Sequence, residues 1–371
     1  MYNYNYEDWP SLSYDLAALA SRIDRVQSLL LPLVERVRRM PAEDRKNYFL
    51  DVLIEDAQQT SSIEGEYMSR EDIRSSIMNH LSFGNYGKEV RDQRAIGVGK
   101  LLSVVAANFR NPLTEVTIKY WHELLFQTTR SIQIIGDYRA GTEPMRIVSG
   151  PDYDLTVHYE APPAKRVPAE MQRFIDALQI KWHQDPLIDQ LLRAGVSHVH
   201  FESIHPFQDG NGRIGRVIIS HLISQGLGFP VPFTLSKVFN ENVSDYYAQL
   251  QQAQRNLDVT EWMKYFLDCV IKAITNATIQ IHFILSKNRF YDQFQNSLSD
   301  RQHKVIHKLF DAGPEGFDGG LSAKNYERIT RVSKATATRE LTYLTRLGAL
   351  TRTGAGRGVR YQLNLDYGEE E

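Results

Sequence analysis

Apolar residues recur at steps of three and four over most of the chain, a spacing that places them on one face of an α-helix. Near the N-terminus this pattern follows a tyrosine-rich leader and comprises Leu16, Leu19, Ala20, Ile23, Val26, Leu29 and Leu30. Pro32 and Pro41 punctuate the segment. Further helical patterns run over residues 51–65, 95–109, 115–127, 169–184, 242–254 and 258–290. The chain is therefore predicted to be mainly α.

One break in the helical pattern, residues 135–164, contains β-prone runs. The runs Met145–Val148 and Leu155–Tyr159 flank the turn residues Gly150, Pro151 and Asp152. Two short runs around such a turn predict a β-hairpin. An irregular surface loop is the alternative.

Residues 205–216 read HPFQDGNGRIGR and bring several chemically active groups together. A predicted helix that begins at Asp185 and Pro186 leads straight into them. His205 can take up a proton near neutral pH. Asp209 offers hard oxygen ligands to Mg²⁺. The glycines at 210 and 212 let the backbone approach a ligand, so that its N–H groups can point at an anion.

The residues that follow read as a helix whose N-terminus turns its positive dipole end toward the same anion. Arg213 and Arg216 share one face of that helix, so both can fork onto phosphate oxygens. Any one of these residues alone fits a polar turn with capping side chains, but the whole string favours a phosphate site. His198 and His200 lack zinc-ligand spacing, and no cysteine lies near them, which disfavours a transition-metal site.

The predicted helix over residues 51–65 ends at Gly65, a residue typical of a helix C-cap. Glu64 therefore lies at the negative end of the helix dipole, which is unfavourable for a carboxylate. A nearby arginine would compensate this charge. A solvated glutamate on a frayed helix end is the alternative. Ser69 then predicts the N-cap of the next helix.

Charge is unevenly distributed along the chain. Residues 301–362 carry 12 Lys/Arg and 5 Asp/Glu, a net charge of +7, whereas the remainder carries 31 and 40, a net charge of −9. The asymmetry suggests a separate C-terminal module with an anionic partner. Helices are predicted over residues 300–310, 322–330 and 334–347, with Ser333 as a cap, and a glycine-turned hairpin over 351–363. The last helix would present Lys334, Thr336, Thr338 and Arg339 as a recognition helix does.

The composition is that of an ordinary globular protein. The chain has 371 residues, 42% hydrophobic and 24% charged, enough for two or three domains. Its one cysteine, Cys269, cannot form an internal disulfide. The N-terminus does not read as a signal peptide, and no run approaches the roughly 18 apolar residues of a spanning helix. We therefore expect a cytoplasmic protein with no membrane partner.

The stretch 205–216 is similar to the signature of the Fic family, His-Pro-Phe-x-Asp/Glu-Gly-Asn-Gly-Arg-x-x-Arg, at every fixed position. The similarity extends from about residue 51 to about residue 267. The resemblance implies an all-helical domain. It also implies the activity of most members of the family, which transfer AMP from ATP to a Tyr, Ser or Thr hydroxyl of a protein. By resemblance, His205 is the catalytic base and Asp209 the Mg²⁺ ligand. The implied nucleotide-binding residues are Phe207, Gly210, Asn211, Gly212, Arg213 and Arg216, with Tyr246 and Tyr247 as candidates near the adenine.

The same resemblance implies regulation. Residues 60–65 are similar to the family's inhibitory motif, Ser/Thr-x-x-x-Glu-Gly/Asn, in which the glutamate, here Glu64, pairs with the second loop arginine, here Arg216, and obstructs the γ-phosphate. The hairpin would be the flap that holds a target segment by strand addition. A glycine at 212, where a kinase-like branch has lysine, favours AMP transfer over phosphorylation. Whether Glu64 also orients water for removal of AMP is left open.

These features predict a helical lead-in over residues 1–50, a Fic domain over 51–270 that includes the inhibitory helix 51–65, a helical connector over 271–299 and a C-terminal module over 300–371. The module resembles the winged helix-turn-helix of many bacterial regulators, a fold that also serves dimerisation or docking. The rival hypothesis is a DNA-binding regulator whose Fic-like domain senses nucleotide. We expect ATP, Mg²⁺ and a target protein as partners, and leave DNA binding and a homodimer open.

Overall fold

The computed structural model describes residues 1–81, 89–129, 132–149, 156–317 and 319–365. Described residues are mainly helical, as predicted. In the first two thirds of the chain the helices are α1 (Leu16–Arg39), α2 (Ala42–Ile63), α3 (Arg70–His80), α4 (Gln93–Ala107), α5 (Glu115–Phe126), α6 (Val167–Gln179), α7 (Pro186–Ile204), α8 (Asn211–Leu227), α9 (Leu235–Glu241) and α10 (Val243–Ala253). They are followed by α11 (Thr260–Phe294), α12 (Asp300–Asp311), α13 (Ala323–Thr330) and α14 (Lys334–Arg346). The strands are β1 (Arg146–Ser149), β2 (Thr156–Glu160), β3 (Leu350–Thr353) and β4 (Arg360–Leu363).

The chain forms two compact units. The larger unit comprises Met1–Arg38 and Arg45–Thr275, and the smaller comprises Arg39–Asp44 and Asn276–Glu371. The domain boundaries drawn from the sequence stay a prediction.

The helical hairpin α7–α8 forms the centre of the larger unit. Every residue from Leu191 to Phe207 is buried, so α7 is a core helix on all sides and not only along the predicted stripe. Asp185 caps α7, because its carboxylate accepts the N–H groups of Leu187 and Ile188. The two helices that flank the candidate loop are thus anchored in the core.

Helix α1 runs through Pro32, so the prediction that this proline interrupts the segment is wrong. Pro41 does fall in the break between α1 and α2. A proline inside a helix costs about 3 kcal/mol through a lost hydrogen bond and a clash. Leu30, Leu33 and Val34 on the same helix are buried, and each such burial contributes about 1.5–3 kcal/mol. Packing therefore outweighs the cost of the proline.

The stretch Thr260–Ser297 is long and apolar enough to cross a membrane by length and composition, contrary to the expectation that no run approaches a spanning helix. A buried core helix satisfies the same criteria. Trp262, Phe266 and Val270 are buried in the larger unit, and the indole N–H of Trp262 donates to the carbonyl of Gly195 at 2.8 Å. This part of α11 therefore packs on α7 as a core helix.

The predicted hairpin is present as the antiparallel pair β1–β2. Arg146 pairs with Glu160 and Ile147 with Tyr159, after which the register shifts. The predicted turn at residues 150–152 lies outside the described residues. The hydroxyl of Tyr159 donates to the carbonyl of Ser203 at 2.6 Å, so β2 is fixed to the C-terminal end of α7.

The smaller unit contains α12, α13 and α14 followed by the antiparallel pair β3–β4. Ser333 caps α14 as predicted, since its side chain accepts the N–H of Thr336. Glu340 accepts the Tyr326 hydroxyl at 2.6 Å and pairs with Arg301 at 2.8 Å, which ties the three helices together. The apolar core of this unit includes Val305, Ile306, Leu309, Leu341, Leu344 and Tyr361.

Candidate active site

Two left-handed residues shape the loop between α7 and α8. His205 ends α7 with φ 49°, and Gly210 precedes α8 with φ 79°. Left-handed backbone is uncommon for a residue other than glycine and needs support from its surroundings. The support comes from Arg139, which is buried. Its Nε donates to the carbonyl of His205 at 2.7 Å and its backbone N–H donates to the carbonyl of Pro206 at 2.9 Å.

The side chains of Phe207 and Asn211 hold the loop together. Asn211 Oδ1 accepts the N–H of Phe207 at 2.9 Å, and Asn211 Nδ2 donates to the Phe207 carbonyl at 2.9 Å. The Phe207 ring is fully buried and stacks on His122 at 4.1 Å. These two side chains are therefore not available to a nucleotide, and only their backbone could contribute to the predicted cradle.

His122 contacts the loop through one ring nitrogen and the preceding segment through the other. Its Nδ1 accepts the N–H of Gly136 at 3.0 Å, and its Nε2 lies 3.1 Å from the carbonyl of Asp209. Burial lowers the pKa of His122 to about 4, so the ring is neutral at physiological pH and Nε2–H donates. His122 was missed in the sequence because its partners are distant along the chain.

Arg216 is almost completely buried and is held from the end of α2. Its Nε donates to Thr60 Oγ1 at 2.8 Å and its Nη2 to Glu64 Oε1 at 2.6 Å. Burial by itself lowers the pKa of Arg216, but the negative charge of Glu64 outweighs it and raises that pKa above its usual value. Arg216 Nη1 is buried without a hydrogen-bond partner among the described residues. It is a donor with capacity for an anion.

Arg213 is held in the same way by a second carboxylate. Its Nη1 donates to Glu66 Oε2 at 2.8 Å, and its Nη2 lies 3.6 Å from Asp209 Oδ1. The guanidinium also lies over the ring of Phe126, 5.1 Å from the centroid. Both loop arginines thus have carboxylates of the segment 64–66 as partners. The sequence reading did not identify Glu66.

A cavity of about 560 Å³ lies against this loop. Six of the predicted site residues line it, namely Glu64, His205, Gly212, Arg216, Tyr246 and Tyr247. The flap contributes Ile147, His158 and Tyr159. The other predicted residues, Phe207, Asp209, Gly210, Asn211 and Arg213, are not part of its lining.

Gly212 allows Glu64 to reach Arg216. A Cβ at position 212 would collide with Oε1 of Glu64 and would lie 3.0 Å from Arg216 Nη1. Gly210 allows a different contact, because a Cβ at this position would meet the ring of Phe126 at 2.6 Å. Its backbone N–H donates to Asp209 Oδ1 at 2.6 Å. Both glycines therefore allow a close approach, of Glu64 at position 212 and of Phe126 at position 210.

The two tyrosines of α10 occupy different positions. Tyr246 is buried, with its hydroxyl 2.7 Å from His198 Nε2. Tyr247 is 43% exposed, and its hydroxyl donates to the carbonyl of Ile63 at 3.3 Å. Both tyrosines line the cavity, and Tyr247 also contacts the end of α2.

Glu202 is a buried carboxylate beside His205 that the sequence reading missed. Its Oε2 lies 3.6 Å from His205 Nδ1. Burial favours the neutral acid, but His205, His198 and Arg216 together lower the pKa of Glu202 below its ordinary value, so the carboxylate is ionised. The signal available in the sequence was its position three residues before His205 on a buried helix.

The donor set suits a magnesium ion that is brought with a nucleotide. Within the described residues no group of three or more His, Cys, Asp or Glu side chains could hold a metal ion. Mg²⁺ typically binds one or two carboxylates together with phosphate oxygens and water. The half-exposed carboxylate of Asp209, at the N-terminus of α8, fits that requirement.

Comparison with known proteins shows which family this chain resembles. Residues 112–223 match the model of the Fic/DOC family, and residues 2–83 match a domain of unknown function, DUF4172. Among solved structures, a Fic family protein from Desulfovibrio desulfuricans G20 is 20% identical with a TM-score of 0.54, covering 99% of this chain and 98% of that one. A Fic domain containing signaling protein from Bacteroides thetaiotaomicron VPI-5482 is 19% identical with a TM-score of 0.50 over 69% of this chain and 95% of that one. The larger unit is thus similar to the Fic/DOC family over residues 112–223.

The relatives that match by sequence are named as protein adenylyltransferases. The chain is 27% identical over 217 residues to the protein adenylyltransferase Fic of Drosophila willistoni, covering 57% of this chain and 39% of that protein. It is 37% identical over 78 residues to protein adenylyltransferase fic-1 of Caenorhabditis elegans, covering 21% of this chain and 14% of the relative. The chain therefore spans at most about two fifths of the length of these relatives and is their homologue at modest identity.

Proposed function

We propose that this protein is a protein adenylyltransferase that transfers AMP from ATP to a Tyr, Ser or Thr hydroxyl of a target protein and of itself. The observation that carries the proposal is the cavity in which His205, Gly212 and Arg216 meet. An imidazole, a helix N-terminus and a buried guanidinium with a free donor are the groups that phosphoryl chemistry requires. The names of the relatives support AMP as the transferred group.

In the proposed reaction the triphosphate lies against the first turn of α8. Helix N-terminal amides have no intrahelical acceptor and favour an anion. His205 takes the proton of the target hydroxyl as its oxygen attacks the α-phosphorus. The bond from the α-phosphorus to the bridging oxygen breaks, and pyrophosphate leaves. Arg213 and Arg216 stabilise the charge on that leaving group.

Asp209 would hold Mg²⁺ together with the phosphates, since its carboxylate is the accessible hard ligand at the loop. The ion, when bound, neutralises phosphate charge. The target segment would lie along the exposed edge of the hairpin β1–β2, whose residues Ile147 and His158 line the cavity. The β-strand addition would present the hydroxyl to His205.

We propose further that the segment 64–66 autoinhibits the enzyme. Glu64 occupies Arg216 and lies against Gly212, where a phosphate would approach. Glu66 occupies Arg213. Two carboxylates in place of a triphosphate repel it and withhold both cationic partners. Since Glu64 also lines the cavity of His205, it is positioned to orient water for the removal of AMP, the second activity to be tested.

The experiment uses ATP labelled on either the α- or the γ-phosphorus with the Glu64→Gly variant, alone and combined with His205→Ala. Label from α-ATP that appears on protein only when His205 is present supports AMP transfer. Label from γ-ATP instead identifies a kinase and overturns the proposal, as does α-label that persists in Glu64→Gly/His205→Ala. Incubation of the AMP-modified protein with wild-type enzyme tests AMP removal.

A second candidate function is DNA binding by the smaller unit, which we propose to be a winged helix-turn-helix. The residues that favour it lie on α14, where Lys334, Thr338 and Arg339 are exposed and Thr336 is half-buried. Binding to duplex DNA should weaken steeply with salt, and Lys334→Ala with Arg339→Ala should reduce the slope by about one for each phosphate that is left without its cation. Absence of binding at low salt would favour a protein-docking role.

A further inference from the structure

Glu202 lies beneath the imidazole of His205 with no evident structural partner. Its Oε1 is buried and has no hydrogen bond among the described residues, and the same is true of His205 Nδ1. A buried, ionised carboxylate without hydrogen bonds is costly. Such a group requires a counter-charge: Arg216 acts on it electrostatically, and His205 Nδ1, a buried ring nitrogen, lies 3.6 Å from Oε2.

The fold keeps space for this carboxylate. A Cβ at Gly215, on α8, would come within 2.6 Å of Glu202 Oε1 and 3.1 Å of His198 Nδ1. Gly215 is therefore needed for Glu202 to lie between the two central helices. At physiological pH His198 is neutral and supplies no counter-charge, because burial lowers its pKa to about 4; its Nε2 is engaged with the Tyr246 hydroxyl at 2.7 Å.

We propose that Glu202 is a positioning residue for His205: it accepts Nδ1–H, fixes the tautomer in which Nε2 is the base, and stabilises the imidazolium formed during AMP transfer. This inference deepens the proposed function and rests on it. Nδ1 is enclosed, which leaves Nε2 as the ring nitrogen toward the cavity. Ligand-free sites commonly show long catalytic hydrogen bonds that tighten in the complex.

The proton balance of the step is simple. The target hydroxyl loses its proton to Nε2 of neutral His205 as the oxygen–phosphorus bond forms and pyrophosphate departs. The imidazolium that results carries protons on both nitrogens, with Nδ1–H directed at the ionised Glu202, which itself stays deprotonated. A base oriented by a carboxylate is the general arrangement of nucleophile-activating dyads.

Three other groups face Glu202 and enter any pH dependence. They are His198 on α7, Arg216 on α8 and Tyr246 on α10. Arg216 stays cationic and His198 neutral through the physiological range. Tyr246 stays protonated because burial raises its pKa above the usual value. Of these four groups, Glu202 is thus the one that carries a negative charge beside His205.

The first test is independent of activity. Full-length protein with ¹⁵N-labelled histidine, with His205→Ala to assign the signal, reports which ring nitrogen carries the proton at neutral pH. We expect Nδ1–H in the wild type and a mixture shifted toward Nε2–H in Glu202→Leu. An Nε2–H tautomer in the wild type, or identical spectra in both proteins, would overturn the inference. This readout tests whether Glu202 sets the tautomer of His205 even if AMP transfer is never observed.

The second test uses rates in the Glu64→Gly background. Glu202→Gln should lower kcat on the order of 10²-fold with little change in KM for ATP, and should move the acid limb of the pH–rate profile to lower pH. Glu202→Asp keeps the charge and should recover part of the rate. Asp189→Asn, which removes a buried carboxylate paired with Arg193 on the same helix, is the matched control and should leave the profile in place. A Glu202→Gln enzyme within twofold of its parent, with an unmoved profile, contradicts a positioning role.

Discussion

Replacement of Glu64 with glycine is predicted to raise the rate of AMP transfer roughly 10- to 100-fold. The bond to be lost joins Glu64 Oε1 to Arg216 Nη2 at 2.6 Å, with side-chain exposures of 28% and 3%. Hydrogen bonds to charged groups contribute about 1.5–3 kcal/mol, and each 1.4 kcal/mol is a factor of ten in an equilibrium. If the pair must open before the triphosphate can bind, that energy converts directly into the fraction of competent enzyme.

The assay measures initial rates of α-label incorporation for wild type, Glu64→Gln and Glu64→Gly. Glu64→Gln keeps the side-chain volume and removes the charge, so we expect a rate between the other two. Glu241→Gly is the matched control, because Glu241 also ends a helix and pairs with a cation, Lys272, at 2.6 Å, but does not line the cavity. Equal rates for wild type and Glu64→Gly, or an equal rise in Glu241→Gly, would refute the reasoning.

Three further predictions concern the surroundings of the site. Glu66→Gln added to Glu64→Gly should lower KM for ATP several-fold, since Arg213 loses the partner at 2.8 Å; an unchanged KM would mean that Glu66 does not compete with phosphate. Arg139→Met should lower the free energy of unfolding by about 3 kcal/mol in denaturant titrations, because it leaves the buried carbonyls of Pro162 and His205 without a donor; a loss below about 1 kcal/mol would contradict the role of Arg139 as a clamp. Burial lowers the pKa values of four histidines to about 4, 4, 3 and 4, so the unfolded chain binds more protons than the folded one between pH 6.5 and about 4. The four are His122, His198, His200 and His221. The contribution of these histidines to stability should therefore be complete above pH 6.5 and should fall on acidification by about 1.4 kcal/mol per pH unit for each histidine. Melting temperatures that stay level from pH 7 to 4.5 would contradict this.

Local rules were sufficient for much of the fold. The pair Asp185–Pro186 does begin α7, and Ser69 and Ser333 do cap the helices that follow them. Gly65 adopts φ 76°, as a helix C-cap requires. These features depend on interactions within one turn of helix, which is the range over which a sequence pattern carries information. Pro32 was misjudged because distant packing, and not local propensity, decides whether α1 continues.

The site was only partly predictable for the same reason. The contacts of Arg139 with His205 span 66 residues, and that of Glu66 with Arg213 spans 147. No periodicity in the sequence connects such pairs. The pairing of Glu64 with Arg216, 152 residues apart, was expected only because the motif resembled one already known. The role of the Asn211 side chain in holding the loop at Phe207 was not predicted, and the assignment of both residues to a nucleotide stays a prediction.

The most direct test of the central claim is a crystal structure of Glu64→Gly with a non-hydrolysable ATP analogue and Mg²⁺. We predict that the α-phosphorus lies beside Nε2 of His205, with the triphosphate against the first turn of α8 and in contact with Arg216. An empty cavity, or a triphosphate bound elsewhere on the protein, would contradict the account.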